Sequence, residues 1–306
     1  IPNYPNIPGS EHGISSDIFF ELKKIPKKIS IVGSGYIALE FAFLLRNLNY
    51  DVDIIFRKKT ILNEFDRDIG SRILRYAIKK GINVYSETSL TQIKKIAKKT
   101  IILTNKKTIK TDLLIYAIGR TPNVQTLNLK NTNVILDKNF AIKVNNNSRS
   151  KDKNIYAIGD VTNRKNLTPV AIREAVILFN FLSRKKINLK LDYNKVASAI
   201  FTQPEVGSIG YGENDLKKLN IKYKVLISEF NPLKYSFYKN KKSKVFIKIL
   251  YAPKSEKVLG IIYIGESAAE IIQSLAIVFQ KNLYLDDLKK TIPVHPTSSE
   301  ELVTII

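Results

Sequence analysis

The stretch Lys28–Val32 reads as a buried strand and runs into Gly33-Ser34-Gly35-Tyr36-Ile37-Ala38, then an apolar helix-like stretch, Leu39–Leu48, and a second strand-like run, Asp51–Phe56. Strand, G-x-G-x-x-A, helix and strand within about thirty residues constrain the fold more than anything else in the chain. Gly33 permits the tight turn, Gly35 lets the backbone approach a pyrophosphate, and Ala38 allows close helix–strand packing. The N–H groups that open the helix, around Tyr36 and Ile37, lack partners and lie at the positive end of the helix dipole, which suits an anion. A glycine turn of this kind also occurs without a ligand. The βαβ context favours a Rossmann-like dinucleotide site at Gly33 and Gly35, while Tyr36, as an aromatic at a helix start, also suits the core.

The end of the second strand chooses between coenzymes. A site for NAD wants a carboxylate there, to accept hydrogen bonds from the ribose hydroxyls. This strand ends Phe56-Arg57-Lys58-Lys59 instead. A guanidinium flanked by ammonium groups suits a ribose 2′-phosphate, so NADPH is the expected coenzyme, held by Arg57 and Lys58. Three solvated cations in a lysine-rich chain are the competing reading.

Further along, an apolar-periodic helix is expected from about Asp66 to Lys80, with Gly81 just past its end. A strand at Ile82–Tyr85, three short antiparallel strands between Leu90 and Lys110, and a strand at Asp112–Ile118 ending in Gly119 complete the first region. Asparagine- and lysine-rich loops lead to an expected strand, Asn154–Ile158, ending in Gly159-Asp160, and to a helix from Thr168 to Ser183. From Asp192 onward, β stretches at Ala197–Thr202, Lys222–Glu229, Lys244–Tyr251 and Val258–Ile264 precede apolar helices, an α+β order. The expected architecture is therefore an α/β Rossmann-like dinucleotide-binding domain at 19–122, part of another domain at 123–191, and a C-terminal α+β domain at 192–306. Residues 1–18 read as a connector entered midway, and the chain as a fragment.

Composition excludes several functions. The 306 residues contain no Cys and only His12 and His295, so structural disulfides, thiol nucleophiles and a zinc centre are not expected within them. The net charge of +23 raises nucleic acid or a membrane surface as partners. Lysines are spread along the whole chain with no aromatic-interleaved basic stripe, which favours compositional drift and no nucleic-acid role. No apolar run approaches the ~18–20 residues of a membrane span. There is no basic, then apolar leader, so a cytoplasmic place is expected.

Ile7–Glu11 with Ser16–Leu22, then Gly33–Glu40, Ala117–Asn123, Ile155–Asp160, Leu167–Ala171 and Val294–Glu301 resemble, in the same order, the glutathione reductases of the flavoprotein disulfide reductase family. The resemblance spans nearly the whole chain. It implies that 19–122 is an NADP-binding domain, 123–191 the second part of an FAD-binding domain and 192–306 a dimerisation domain, in a homodimer that binds NADPH and FAD and passes electrons through an active-site disulfide to glutathione disulfide. It implies roles by position: Tyr36 covering the nicotinamide pocket, Glu40 near the nicotinamide, Arg57 on the 2′-phosphate, and Arg120, after Gly119, on the coenzyme. Asp160 resembles the carboxylate that holds the FAD ribityl chain, although any single Asp there also suits a turn or helix cap. Thr168 opens a helix whose N-terminus would face the flavin. His295 resembles the acid–base of thiol–disulfide exchange, which needs a group of pKa near 6–7. Glu300 would orient it, and in the family this pair acts on the partner subunit's disulfide.

Some positions depart from the pattern. Asn63 stands where many relatives have a second arginine, Val176 where many have an arginine for a glutathione carboxylate, and Lys234 where others have tyrosine. The resemblance places the redox cysteines and the FAD pyrophosphate motif in an N-terminal segment outside these residues. The isolated 306 residues are accordingly expected to bind NADPH, hold FAD poorly and not turn over. Dihydrolipoamide dehydrogenase, or a non-catalytic dimeric NADPH-binding module, are the alternatives.

Overall fold

The computed structural model describes residues 1–184, 191–236 and 244–305. Backbone proximity divides them into two compact units, one of residues 4–118 with 197–306 and one of residues 1–3 with 119–196.

In the larger unit, β1 (Ile14–Ser15) and α1 (Ser16–Phe19) precede β2 (Lys28–Val32), α2 (Tyr36–Asn47) and β3 (Asp51–Ile55). Residues 14–15, inside the expected connector, thus serve as an edge strand. Next come α3 (Arg67–Lys79), β4 (Asn83–Tyr85), the antiparallel trio β5 (Leu90–Ile96), β6 (Lys99–Thr104) and β7 (Thr108–Thr111), and β8 (Leu113–Tyr116). The parallel sheet has the order β1-β8-β2-β3-β4, with Ile29 opposite Val52 and Leu113. Strands buried on both faces explain the near-continuous apolar runs.

Helix α2 begins at Tyr36 rather than Leu39, because Gly35 is already its N-cap in extended backbone. Helix α3 follows the expected pattern. Asp66 caps it by accepting from the Asp68 N–H at 2.9 Å, and Ile69, Ile73 and Ala77 make its buried stripe. Gly81 stops it with φ 80°.

The smaller unit contains α4 (Thr168–Leu182) and several single 3₁₀ turns. The expected strand at 154–158 is not formed. Tyr156 makes one bridge to Arg149, and the Ala157 N–H bonds Ser148. The backbone of this stretch pairs with its own preceding turn, which leaves no room for a longer ladder.

Residues 197–305 add β9 (Ser198–Ile200), β10 (Glu205–Gly210), α5 (Glu213–Lys218), β11 (Lys224–Phe230), β12 (Val245–Tyr251), β13 (Val258–Gly265), α6 (Ala268–Phe279), α7 (Leu285–Lys289) and α8 (Glu301–Thr304). Their antiparallel sheet has the order β11-β12-β13-β10-β9. Strand β10 and helix α5 were not expected, since glycines at 207, 210 and 212 mask the strand and cap signals. The glycine at 207 is a packing requirement, because a Cβ there would lie 2.6 Å from the Ala268 carbonyl and 2.8 Å from Ile272 Cβ. Overpacking of this kind costs about 1–3 kcal/mol. Gly207→Ala should lower unfolding stability by that amount in a denaturant titration, without altering α2 or the glycine turn.

One hydrophobic core runs through the larger unit. Ile29, Ile31, Leu39 and Ile54 of the parallel sheet and α2 share it with Ile200, Val206, Phe246 and Ile264 of the antiparallel sheet. Among the described residues, no helix is long and apolar enough to cross a membrane.

Candidate functional site: a glycine turn beside a cationic loop

Gly33 adopts φ 143°, and a Cβ there would sit 2.2 Å from the Ala117 carbonyl, so β2 and β8 allow nothing larger. Gly35 is different. A Cβ on it would meet nothing within 4 Å, so no neighbour in the chain demands a glycine. Its open surface, at an N-terminus of α2 with no side-chain cap, is a cradle that a side chain would fill. Ala38 is fully buried against the sheet, as the motif requires. Tyr36 and Ile37 are partly buried against the main core.

Glu40, one turn into α2, accepts a hydrogen bond from the Phe201 N–H at 2.9 Å. Burial pushes its pKa up, partly offset by that bond. It therefore ties α2 to the segment after β9.

Beyond β3, Phe56 is buried and Arg57, Lys58, Lys59 and Thr60 are exposed, and then Ile61 and Leu62 turn back into the core. The cations form a short hook between two buried anchors. The Leu62 N–H donates to the Ser34 carbonyl at 2.8 Å, fastening the hook to the middle of the glycine turn. Leu62 has φ 52°, a left-handed conformation that a leucine adopts only under constraint. Asn63 is occupied locally, accepting from Thr60 Oγ1 at 2.7 Å and donating to the Thr60 carbonyl.

Sequence reasoning missed what holds the far end of this loop. Lys248, in the centre of β12, is fully buried. Its Nζ donates to both Asp66 oxygens at 2.9 and 3.1 Å, to Asp68 at 2.7 Å and to Glu213 at 2.6 Å. The three carboxylates lie close enough to share a cation, and the ammonium is that cation. Burial opposes the charge on Lys248, but bonds to Asp68, Glu213 and Asp66 outweigh it and raise its pKa. The Lys248 bond, against some burial and with help from Tyr223 and Lys217, lowers Glu213 to about 2.

A depressed carboxylate stabilises the fold above its ordinary pKa of 4.5, and that contribution is lost as pH falls toward 2. Unfolding stability should drop by on the order of 2 kcal/mol over this window through Glu213. Denaturant titrations at several pH values should show a shallower acid slope for Glu213→Gln.

In the smaller unit, Gly119 has φ 106° and its carbonyl accepts from the Asn3 N–H, with Arg120 exposed beside it. Asp160 is exposed on the turn Gly159–Thr162, and Gly159 has φ 69°. Thr168 is exposed in the first turn of α4, whose N-cap Leu167 supplies no side-chain bond. Glu174 carries no local sequence signal. This buried residue accepts from the Gly159 N–H at 2.6 Å and the Tyr193 hydroxyl at 2.5 Å, with Arg164 at 3.1 Å. Burial, then the Glu174 bond, raises the Tyr193 pKa. Glu174 fixes the turn that presents Asp160.

His295 and Glu300 meet as expected. Imidazole Nδ1 lies 2.9 Å from the Glu300 carboxylate, and the Glu300 N–H donates to Thr297 Oγ1 at 3.2 Å. With Nδ1 engaged and the ring exposed, Nε2 is left for proton exchange. Lys234 is 2.9 Å from Glu266, which also accepts from the Tyr235 hydroxyl.

The family description "pyridine nucleotide-disulphide oxidoreductase" matches residues 1–175, and the dimerisation domain of the same family matches residues 196–306. The chain is 37% identical over 306 residues to a chloroplastic/mitochondrial glutathione reductase of Pisum sativum, covering 99% of this chain and 55% of that protein. It is 37% identical over 320 residues to a glutathione reductase of Yarrowia lipolytica, covering 99% and 66%. For a glutathione reductase of a Nostoc species the figures are 36% over 321 residues, 99% and 69%. The chain thus spans roughly half to two thirds of the length of these relatives. An open glycine turn at the head of α2, a parallel sheet around it, a C-terminal antiparallel sheet, and matches over both regions lead to one assignment: the chain belongs to the pyridine nucleotide-disulphide oxidoreductase family.

Proposed function

We propose that the protein takes part in NADPH-dependent reduction of glutathione disulfide, with FAD as the second cofactor, as a homodimer acting in the cytoplasm. The observation that carries this reading is the exposed Arg57–Lys59 hook, hydrogen-bonded through Leu62 to the glycine turn at Ser34. That arrangement fits a pyrophosphate over Gly35 and a ribose 2′-phosphate at Arg57 and Lys58. A dihydrolipoamide dehydrogenase would be expected to carry a carboxylate where Arg57 stands. Glu40 would lie near the nicotinamide, beside Tyr36 and Ile37.

The residues present fit part of an FAD site. Asp160 can accept a hydrogen bond from a ribityl hydroxyl. The uncapped N-terminus of α4 at Thr168 suits the charge that gathers on a reduced flavin. FAD, when bound, supplies the two-electron relay between coenzyme and disulfide. The chain's own residues bind and orient. His295, held at Nδ1 by Glu300, moves a proton at Nε2 to and from a thiol. The 306 residues contain no Cys, so a redox disulfide for this reaction would have to come from outside them.

Calorimetric titration of the chain with NADP and NAD in parallel tests the coenzyme assignment. NADP should bind at least about tenfold more tightly, as a charge-assisted contact worth ~1.5–3 kcal/mol requires. Equal affinities, or tighter NAD binding, would remove the basis for the proposal.

A further inference from the structure

We infer that Lys248 is a positioning residue for recognition of the coenzyme's 2′-phosphate, acting through Asp66 and the constrained Leu62 turn. The inference rests on the coenzyme reading above and adds to it how selectivity is maintained.

Three observations lead there. The first is the path of the loop. Residues 57–60 are exposed, Ile61 and Leu62 are buried, and the loop ends at Asp66, the N-cap of α3. The Phe65 N–H donates to the Leu62 carbonyl at 2.9 Å, so the Leu62 turn and Asp66 are nearly contiguous. The second is the strain at Leu62. A non-glycine residue with φ 52° persists only where its surroundings over-determine it. On one side it is held by the Ser34 carbonyl. On the other, α3 closes on the loop so tightly that a Cβ on Gly70 would stand 2.5 Å from the Ile61 carbonyl.

The third is how completely Asp66 is bound. Its carboxylate accepts the Asp68 N–H, the Glu213 N–H at 2.9 Å, and the Lys248 ammonium at both oxygens. Asp66 therefore joins the loop to β12 and to the start of α5. Among the described residues no other cation bonds it, and Lys217 bonds Glu213 at 3.4 Å.

A buried quartet need not exist for stability, because apolar residues of similar volume often serve as well. Directional bonds to both Asp66 oxygens do what apolar packing does not: they fix the orientation of the residue that terminates the loop. With that end fixed, Leu62 keeps its left-handed turn and its bond to Ser34. Arg57 and Lys58 then stay in register with the glycine turn, so that one phosphate group and one pyrophosphate can be held together. Selectivity for the phosphorylated coenzyme is thus set partly from the C-terminal sheet.

The test compares the wild-type chain with two variants: Lys248→Met, and a neutral quartet made by D66N, D68N, E213Q and K248M together. Asn at 66 still caps α3, and the neutral set strands no buried charge, so it keeps the experiment informative if the single variant unfolds. Binding of NADP, NAD and adenosine 2′,5′-bisphosphate is measured by calorimetry on folded protein. The expected result for the neutral quartet is a loss of about tenfold in affinity for NADP and the bisphosphate, with NAD changed less than about threefold, since losing register with the 2′-phosphate forfeits roughly one charge-assisted contact. The inference is overturned if NADP and NAD weaken together, or if neither changes while the unfolding midpoint moves. Wild-type protein that fails to prefer NADP would instead overturn the coenzyme reading itself, which separates the two failures.

Discussion

Arg57→Glu should reduce affinity for NADP by about 100-fold and leave NAD binding unchanged or slightly improved. The size follows from what is removed and what is added. A guanidinium–phosphate pair is charge-assisted and bidentate, contributing ~1.5–3 kcal/mol, or about 10- to 100-fold. Reversing the charge adds repulsion, while Lys58 and Lys59 remain alongside to moderate it. Arg57→Ala should therefore fall nearer about tenfold. The same glutamate offers the ribose hydroxyls of NAD an acceptor, which is why NAD should not suffer. Because Arg57 is exposed and lies beyond the buried Phe56, neither substitution should change unfolding stability measurably. Parallel titrations with both coenzymes decide the matter. If Arg57→Glu weakens the two equally, the cations at 57–59 are a solvated surface and the phosphate contact lies elsewhere.

What the sequence disclosed and what it hid divide along a physical line. The β2–α2–β3 unit was legible because every signal is local. Gly33, Gly35 and Ala38 stand at fixed offsets between two apolar runs, and the structure places β2 at Lys28–Val32 as expected. Helix α3 was legible for the same reason, with its stripe, its cap Asp66 and its stop Gly81 all within sixteen residues of chain. The His295–Glu300 contact spans five positions and was equally accessible.

The partners that matter between elements were not. Lys248 lies 182 positions from Asp66, and inside Val245–Tyr251 it reads as the one solvent-facing residue of a strand. Nothing local distinguishes a lysine that reaches water from one that reaches three carboxylates. Glu40 and Phe201, 161 positions apart, are a second case. Glu174 reads as an ordinary helix carboxylate until Gly159 and Tyr193 are seen to close on it. Strand β10 failed differently: glycine lowers strand propensity, but Gly207 is there because α6 packs directly on the strand backbone.

Lys248→Met should be the most destabilising of the substitutions considered, lowering unfolding stability by about 3–5 kcal/mol. The ammonium is fully buried and, among the described residues, is the only cation bonded to Asp66, itself 4% exposed. Methionine fills the aliphatic volume of the lysine chain, so packing changes little and the effect isolates the charge. Removing it leaves Asp66, Asp68 and Glu213 facing one another with their shared partner gone. Glu213, lowered to about 2 chiefly by Lys248, should then rise well above that value, so that falling pH relieves the repulsion by protonating it. The variant should consequently be least impaired at mildly acidic pH and most impaired at high pH, the reverse of the wild-type trend. Neutralising all four positions together should recover most of the lost stability, because no buried charge is then left without a partner. Denaturant midpoints of wild type, single and neutral-quartet variants at pH 5 and pH 8 supply the check. A single variant no less stable than the neutral quartet at both pH values would mean that the carboxylates reach solvent and that Lys248 is not their charge partner.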